Sequence, residues 1–296
     1  MADHEAAVQA LCQHHQEPDP KALILRLCRE LLDEQPTESG PTPLRVLGSV
    51  RCIRDVRYAA IAITSGCSGV LVPDDGGYVV MLEEREPPGR QHRSLAHEIV
   101  HTFFREIHPG PPGREEEQLC ELGAGELTMP ASRVRDFIDG RGPLRFDLVN
   151  EVAHEFGVTN DAAARRLIEL SSEQTCYLVA FSMRTRRQNE LDLGRPRLRI
   201  ASWSCSPSWP DQRRIRGLAV KSNSLIGRAF LNQDFQVGRG PAGISYRGGI
   251  FDIEAVGYTF SRGGKARSQV AALLRVWPGV VETNQTRRPR RRSEPD

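Results

Sequence analysis

The chain has 296 residues, 39% hydrophobic and 26% charged, with 40 Lys+Arg against 38 Asp+Glu for a formal net charge of +2. That composition suits a globular chain with core enough for one large or two ordinary domains. It excludes a surface that is cationic throughout, though not a local basic patch. Only Lys21, Lys221 and Lys265 are lysine, an arginine bias that a coding background explains without a function. No apolar run reaches the roughly 20 residues that span a bilayer. Asp3, His4 and Glu5 lack the basic-then-apolar order of a signal peptide. The seven cysteines are odd in number, scattered and without a C-x-x-C pair, which predicts reduced thiols and a cytoplasmic setting.

In chain order, residues 6–16 carry a weak helical pattern ending at Pro18-Asp19-Pro20. From Pro20 to about Glu34 the spacing of Leu23, Leu27, Leu31 and Leu32 predicts an amphipathic helix. The Pro36–Pro43 stretch reads as a loop. Strands are predicted over 58–64 and 69–73, and Asp74-Asp75-Gly76-Gly77 turns the second into Tyr78–Leu82, a hairpin. Helices are expected at about 93–105, 115–127, 147–157 and 160–170, with a loop at Pro109–Gly113 and a stop at Met129-Pro130. Past Ser172 short apolar runs at 176–182, 197–203, 215–219 and 251–259 suggest a β-rich part ending in a helix near 266–275. Trp203, Cys205 and Trp209 read as a small core cluster. The tail from about 281, with Arg287, Arg288 and Arg290–Arg292, has no core-forming residues and reads as disordered.

The sharpest feature is His97-Glu98-Ile99-Val100-His101, an H-E-x-x-H. Residues i and i+4 of a helix share a face one turn apart, so two imidazoles can aim at one zinc ion. Glu98 then falls beside the metal, placed to take a proton from water. Ser94 is a candidate N-cap, and Leu95, Ile99, Val100, Phe103 and Phe104 supply packing. With 8 His in the chain, chance yields this motif in about one of sixty such sequences. His154-Glu155 begins the same pattern and fails at Val158.

A catalytic zinc needs a third protein ligand. In Glu115–Pro130, helical spacing aligns Glu117 with Cys120, Ala124 and Leu127, which makes Glu117 the inward carboxylate. Glu115 and Glu116 read as a solvated first turn. Glu121 is the competing ligand, and Cys120 reads as a small buried hydrophobe.

Arg93–His101, followed by Glu117-x-x-Cys120-x-x-x-Ala124-x-x-Leu127-x-Met129-Pro130 and then Ala153–Thr159 with Ala164–Leu167, resembles the ImmA/IrrE family of metallopeptidases. The resemblance covers about residues 20–171. It implies His97, His101 and Glu117 as ligands of one Zn2+ ion and Glu98 as the catalytic residue. Glu121 stands where the family usually has Asn or Asp, Gly123 where Phe is common, and Thr128 where a second Leu is usual. The resemblance also implies a zinc-dependent site-specific endopeptidase whose protein substrate is a helix-turn-helix repressor, cleaved in a stress or mobile-element response. His108 is a further candidate to steady the oxyanion, against a plain surface histidine.

The predicted fold class is α+β. It comprises a zincin-like helical metallopeptidase domain with a small β-sheet over 1–146 and a helix-turn-helix-like segment over 147–171. A second α+β domain over 172–280, loosely like a GAF-type sensory domain in Gly217–Phe230 and Ile253–Gly257, precedes a disordered basic tail over 281–296. In 147–171 the only cations of the second helix are Arg165 and Arg166, beside Asp161, so packing or partner docking is favoured over DNA reading. The competing function is a DNA- or protein-binding module with a structural or vestigial zinc site. A fourth protein ligand, Cys120 or Glu121, would close the site and favour it.

Overall fold

The structure is a computed structural model that describes residues 3–34, 42–61, 68–108, 111–183, 197–209, 215–244, 250–262 and 265–276. Two compact units divide it, Met1–Leu170 and Ser171–Asp296. The predicted loop at 36–41, the end of the predicted strand at 62–64, Pro109-Gly110 and the tail over 281–296 lie outside the described residues.

The first unit opens with α1 (Asp3–His15) and α2 (Pro20–Asp33). Asp19 fixes the start of α2. Its carboxylate accepts from the amides of Lys21 at 2.9 Å and Ala22 at 3.3 Å, and Pro20 fills the first helical position. A short helix α3 (Thr42–Val46) leads to β1 (Ile53–Ala59), β2 (Gly69–Asp74) and β3 (Gly77–Glu83). The sheet order is β1-β3-β2, with β3 parallel to β1 and antiparallel to β2, so the predicted hairpin forms and β2 is an edge. The first strand lies earlier than expected. Ile53 and Val56 are the positions that turn to the core, and pairing ends at Ala59 opposite Glu83.

Next come α4 (Pro88–Arg105) and α5 (Arg114–Thr128). Helix α4 starts before the predicted cap: Ser94 is interior and Pro88 sits in the first turn, where a missing N–H costs nothing. Leu95, Ala96, Ile99, Val100 and Phe104 of α4 share one buried core with Leu119, Cys120, Ala124 and Leu127 of α5 and with Leu23, Ile24 and Cys28 of α2. Gly123, an oddity in the sequence, is what allows this approach. A Cβ there would lie 2.7 Å from Val100 Cγ2 and 3.0 Å from Ile24 Cγ2. An unpredicted helix, α6 (Ala131–Ile138), follows at once, because Pro130 both stops α5 and caps its successor. Helices α7 (Phe146–Glu155) and α8 (Asn160–Leu170) complete the unit. The turn between them rests on the start of α4: His92 Nδ1 lies 3.3 Å from the Gly157 carbonyl.

The second unit is a five-stranded antiparallel sheet of β4 (Thr175–Met183), β5 (Arg197–Cys205), β6 (Phe235–Gly240), β7 (Phe251–Arg262) and β8 (Lys265–Val276), ordered β5-β4-β8-β7-β6. One helix, α9 (Leu225–Asn232), is capped by Ser224, whose Oγ accepts from the Gly227 amide at 3.1 Å. Two expectations fail here. Residues 266–275 are the middle strand of the sheet, not a helix. Val270–Leu274 are buried without alternation, and such a run reads equally as buried helix or as a strand covered on both faces. Residues 215–219 form a turn with an isolated bridge at Ala219 rather than a strand. The tryptophan cluster does form: Trp209 is 4% exposed and stacks on Phe251 at 5.8 Å, with Trp203 and Cys205 against the same core.

The cations of α8 have structural duties. Arg165 pairs with Asp161 at 2.9 Å. Arg166, 4% exposed, pairs with the buried Glu126 of α5 and donates to the Met129 carbonyl at 2.9 Å. Removing one member of a buried pair strands the other charge. Arg166→Met is therefore expected to cost about 3–5 kcal/mol in urea unfolding, and the double variant Glu126→Leu/Arg166→Met to cost less than that single change.

Candidate metal centre

Helix α4 brings His97 and His101 onto one face, and α5 crosses it to supply carboxylates. His97 Nε2 and His101 Nε2 lie 3.2 Å apart. Glu117 reaches both, with Oε2 3.2 Å from His97 Nε2 and Oε1 3.6 Å from His101 Nε2. These three side chains form a group whose ligand atoms all lie within 4.8 Å of one another. The sequence-named residues His97, His101 and Glu117 are thus brought together, with the Glu117 side chain 47% exposed at the mouth.

For His101, the outer nitrogen settles which lone pair points inward. His101 Nδ1 lies 2.8 Å from Glu116 Oε1, and Arg105 Nη2 donates to that same oxygen at 2.8 Å. A carboxylate accepts, so His101 carries its proton on Nδ1 and turns the Nε2 lone pair toward His97 and Glu117. His97 Nδ1 lies 3.7 Å from Glu121 Oε1, and Arg93 holds the other Glu121 oxygen. Burial, and next His101, hold the His97 imidazole below its usual pKa, which keeps it in the neutral form that ligates.

Glu116 corrects the expectation of a solvated first turn. It is fully buried, and Glu116, Leu119, Cys120, Gly123, Ala124 and Leu127 make an inward stripe at spacings of three and four. That period was present in the sequence; a glutamate at its head concealed it. Its second oxygen, Oε2, is buried and has no hydrogen-bond partner among the described residues. Arg105 was also missed, since nothing in the sequence links it to a residue eleven positions on.

Glu98 is 6% exposed and faces β2. The Leu71 amide hydrogen-bonds its carboxylate, and a Cβ on Gly69 would lie 3.2 Å from its Oε1. Burial pushes Glu98 up to about 7, against the pull of His101. A cation between the histidines would lower it again.

Cys120 does not join the three. It belongs instead to a second, fully buried group with His101 and Glu116, and burial pushes its thiol well above its usual pKa. Glu121 likewise faces the outer nitrogen of His97 and Arg93. His108 ends the turn after α4, where its carbonyl accepts from Arg105 at 3.3 Å. Among the described residues no helix is long and apolar enough to cross a membrane.

A family model described as the IrrE N-terminal-like domain matches residues 65–168. Over 132 residues the chain is 30% identical to the radiation response metalloprotease IrrE of Deinococcus deserti, covering 39% of this chain and 47% of that protein. The chain thus spans about half the length of the curated relative it matches. A solved Mycobacterium tuberculosis transcriptional regulator shares the fold at a TM-score of 0.55 and 10% identity, covering 92% of this chain and 80% of that one. The matched span 65–168 holds the hairpin, the H-E-x-x-H helix, the carboxylate helix and the α7–α8 pair, so this part of the chain matches an IrrE N-terminal-like domain.

Proposed function

We propose that the chain is a zinc-dependent endopeptidase in which His97, His101 and Glu117 hold one Zn2+ ion and Glu98 is the catalytic residue. The observation that carries this reading is the meeting of these side chains. Two imidazole Nε2 atoms and a carboxylate converge with separations of 3.2–3.6 Å, the spacing of ligands held about 2.0–2.2 Å from one tetrahedral ion. Two nitrogens and one carboxylate suit zinc, and a half-exposed Glu117 leaves room for substrate. Zinc, when bound, supplies a Lewis acid for a peptide carbonyl and a field that makes water acidic near neutrality.

The protein groups divide the remaining work. Glu98, held by the Leu71 amide, takes the proton of the attacking water and passes it to the departing amine. Edge strand β2, with Val70 and Val72 exposed, offers its rim to an extended peptide by strand addition. Glu116 and Arg105 keep His101 in the Nδ1–H tautomer, and Glu121 with Arg93 backs His97. The family resemblance supports a helix-turn-helix repressor as the substrate. The five-stranded second unit supports a regulatory role for 172–280, GAF-like in the loose sense of a sheet carrying a helix. A closed, structural site is the weaker reading, because Cys120 and Glu121 stand behind the histidines rather than between them.

Glu98→Gln is expected to retain one zinc per chain and lose at least about 10²-fold in cleavage of a helix-turn-helix regulator encoded nearby. His101→Ala is expected to lose the metal as well. Equal cleavage by Glu98→Gln would remove Glu98 from the reaction; a wild-type chain that takes up no zinc would end the proposal. Glu116→Gln is expected to weaken zinc binding by about 10-fold or more in chelator competition. Unchanged affinity would take Glu116 out of the supporting role.

A further inference from the structure

Strand pairing in the second unit joins two cysteines that are 29 positions apart in sequence. Cys176 on β4 and Cys205 on β5 are direct partners in the antiparallel register. Residues opposite one another in such a pair have Cα atoms about 4.5–5.5 Å apart, inside the 4.4–6.8 Å span of disulfides. Here the two Sγ atoms already lie 2.8 Å apart, with no disulfide between them. The register just beyond them is pinned: the Ser206 amide donates to the Thr175 carbonyl at 2.9 Å, and the Thr175 amide to Ser206 Oγ at 3.1 Å. The sulfurs are therefore held against each other by backbone geometry.

Their access to solvent differs. Cys176 is 2% exposed, whereas Cys205 is part-exposed on an edge strand. One sulfur can meet a dissolved oxidant and the other waits behind it, the arrangement of a reactive and a resolving thiol.

We propose that Cys176 and Cys205 form a cross-strand dithiol that a peroxide oxidises to a disulfide, fastening edge strand β5 to β4. The Cys205 thiolate attacks one peroxide oxygen, an S–O bond forms as the O–O bond breaks, and the departing hydroxide leaves as water with a proton from solvent. Cys176 Sγ then attacks Cys205 Sγ. The S–S bond forms, the S–O bond breaks, and a second water carries away the Cys176 proton and the hydroxyl. Two thiols and one hydrogen peroxide give one disulfide and two waters; a dithiol reductant reverses the change by exchange. The bond closes a loop of about 30 residues and stabilises the second unit chiefly by restricting its unfolded chain.

The test treats the folded full-length chain with hydrogen peroxide, blocks remaining thiols with N-ethylmaleimide, and maps peptides by mass spectrometry without reduction. The expected result is a Cys176–Cys205 linked peptide that dithiothreitol removes, with an unfolding midpoint raised by more than about 5 °C. In Cys176→Ser, Cys205 is expected to be trapped by dimedone as a sulfenic acid; in Cys205→Ser, the buried Cys176 is expected to stay unreacted. The linked peptide is read in the unmutated chain, so poor folding of either variant leaves the test intact. The proposal is overturned if both thiols remain alkylatable after excess peroxide, or if Cys205 is recovered joined to another cysteine.

Discussion

Two imidazole nitrogens 3.2 Å apart, both facing one carboxylate, are spaced as the ligands of a single ion. Everything around it serves to hold that geometry. Helix α4 sets the i, i+4 spacing, α5 brings Glu117 across, and Glu116 fixes the outer nitrogen of His101. The close approach of the two helices depends on Gly123, where a single methyl would collide with Val100. Burial adds electrostatic tension: Glu98 is driven up toward neutrality, and Glu116 leaves one oxygen without a partner among the described residues. A cation held there would pull Glu98 back toward its charged form.

The first unit also shows how charges at odds with a buried position are settled by pairing. Arg166 lies on the helix that a DNA-reading hypothesis would place in a groove, yet it is buried against Glu126 and the Met129 carbonyl. The α7–α8 pair is thereby built into the unit that bears His97, His101 and Glu117. The second unit is organised by different means, an antiparallel sheet with β8 at its centre. Its chemistry comes from the register of that sheet rather than from a motif.

The sequence made the site legible wherever chemistry and helical period coincide. His97, Glu98 and His101 announce themselves by spacing, and Glu117 by its place on the next helix. Glu116 escaped because a carboxylate at the head of a helix suggests solvation by the dipole, and only the three-dimensional crossing reveals His101 and Arg105 waiting for it. The hairpin of β2 and β3 and the long helices were readable from turns and periodicity. The strand at 265–276 was not, because Val270–Leu274 are apolar without alternation and pattern alone does not separate a doubly covered strand from a helix. Helix α6 was hidden by a proline that both stops and starts. The pairing of Cys176 with Cys205 was invisible in principle, since no local signal encodes the register of two strands.

The proposed ion lies among His97, His101 and Glu117, with Cys120 apart from it. X-ray absorption at the zinc edge of the purified, zinc-loaded chain addresses this directly. The expected result is a shell of nitrogen and oxygen only, at about 2.0–2.2 Å, with the outer scattering of two imidazoles. A sulfur at about 2.3 Å would contradict it, making Cys120 or another thiol a ligand and the site a structural one.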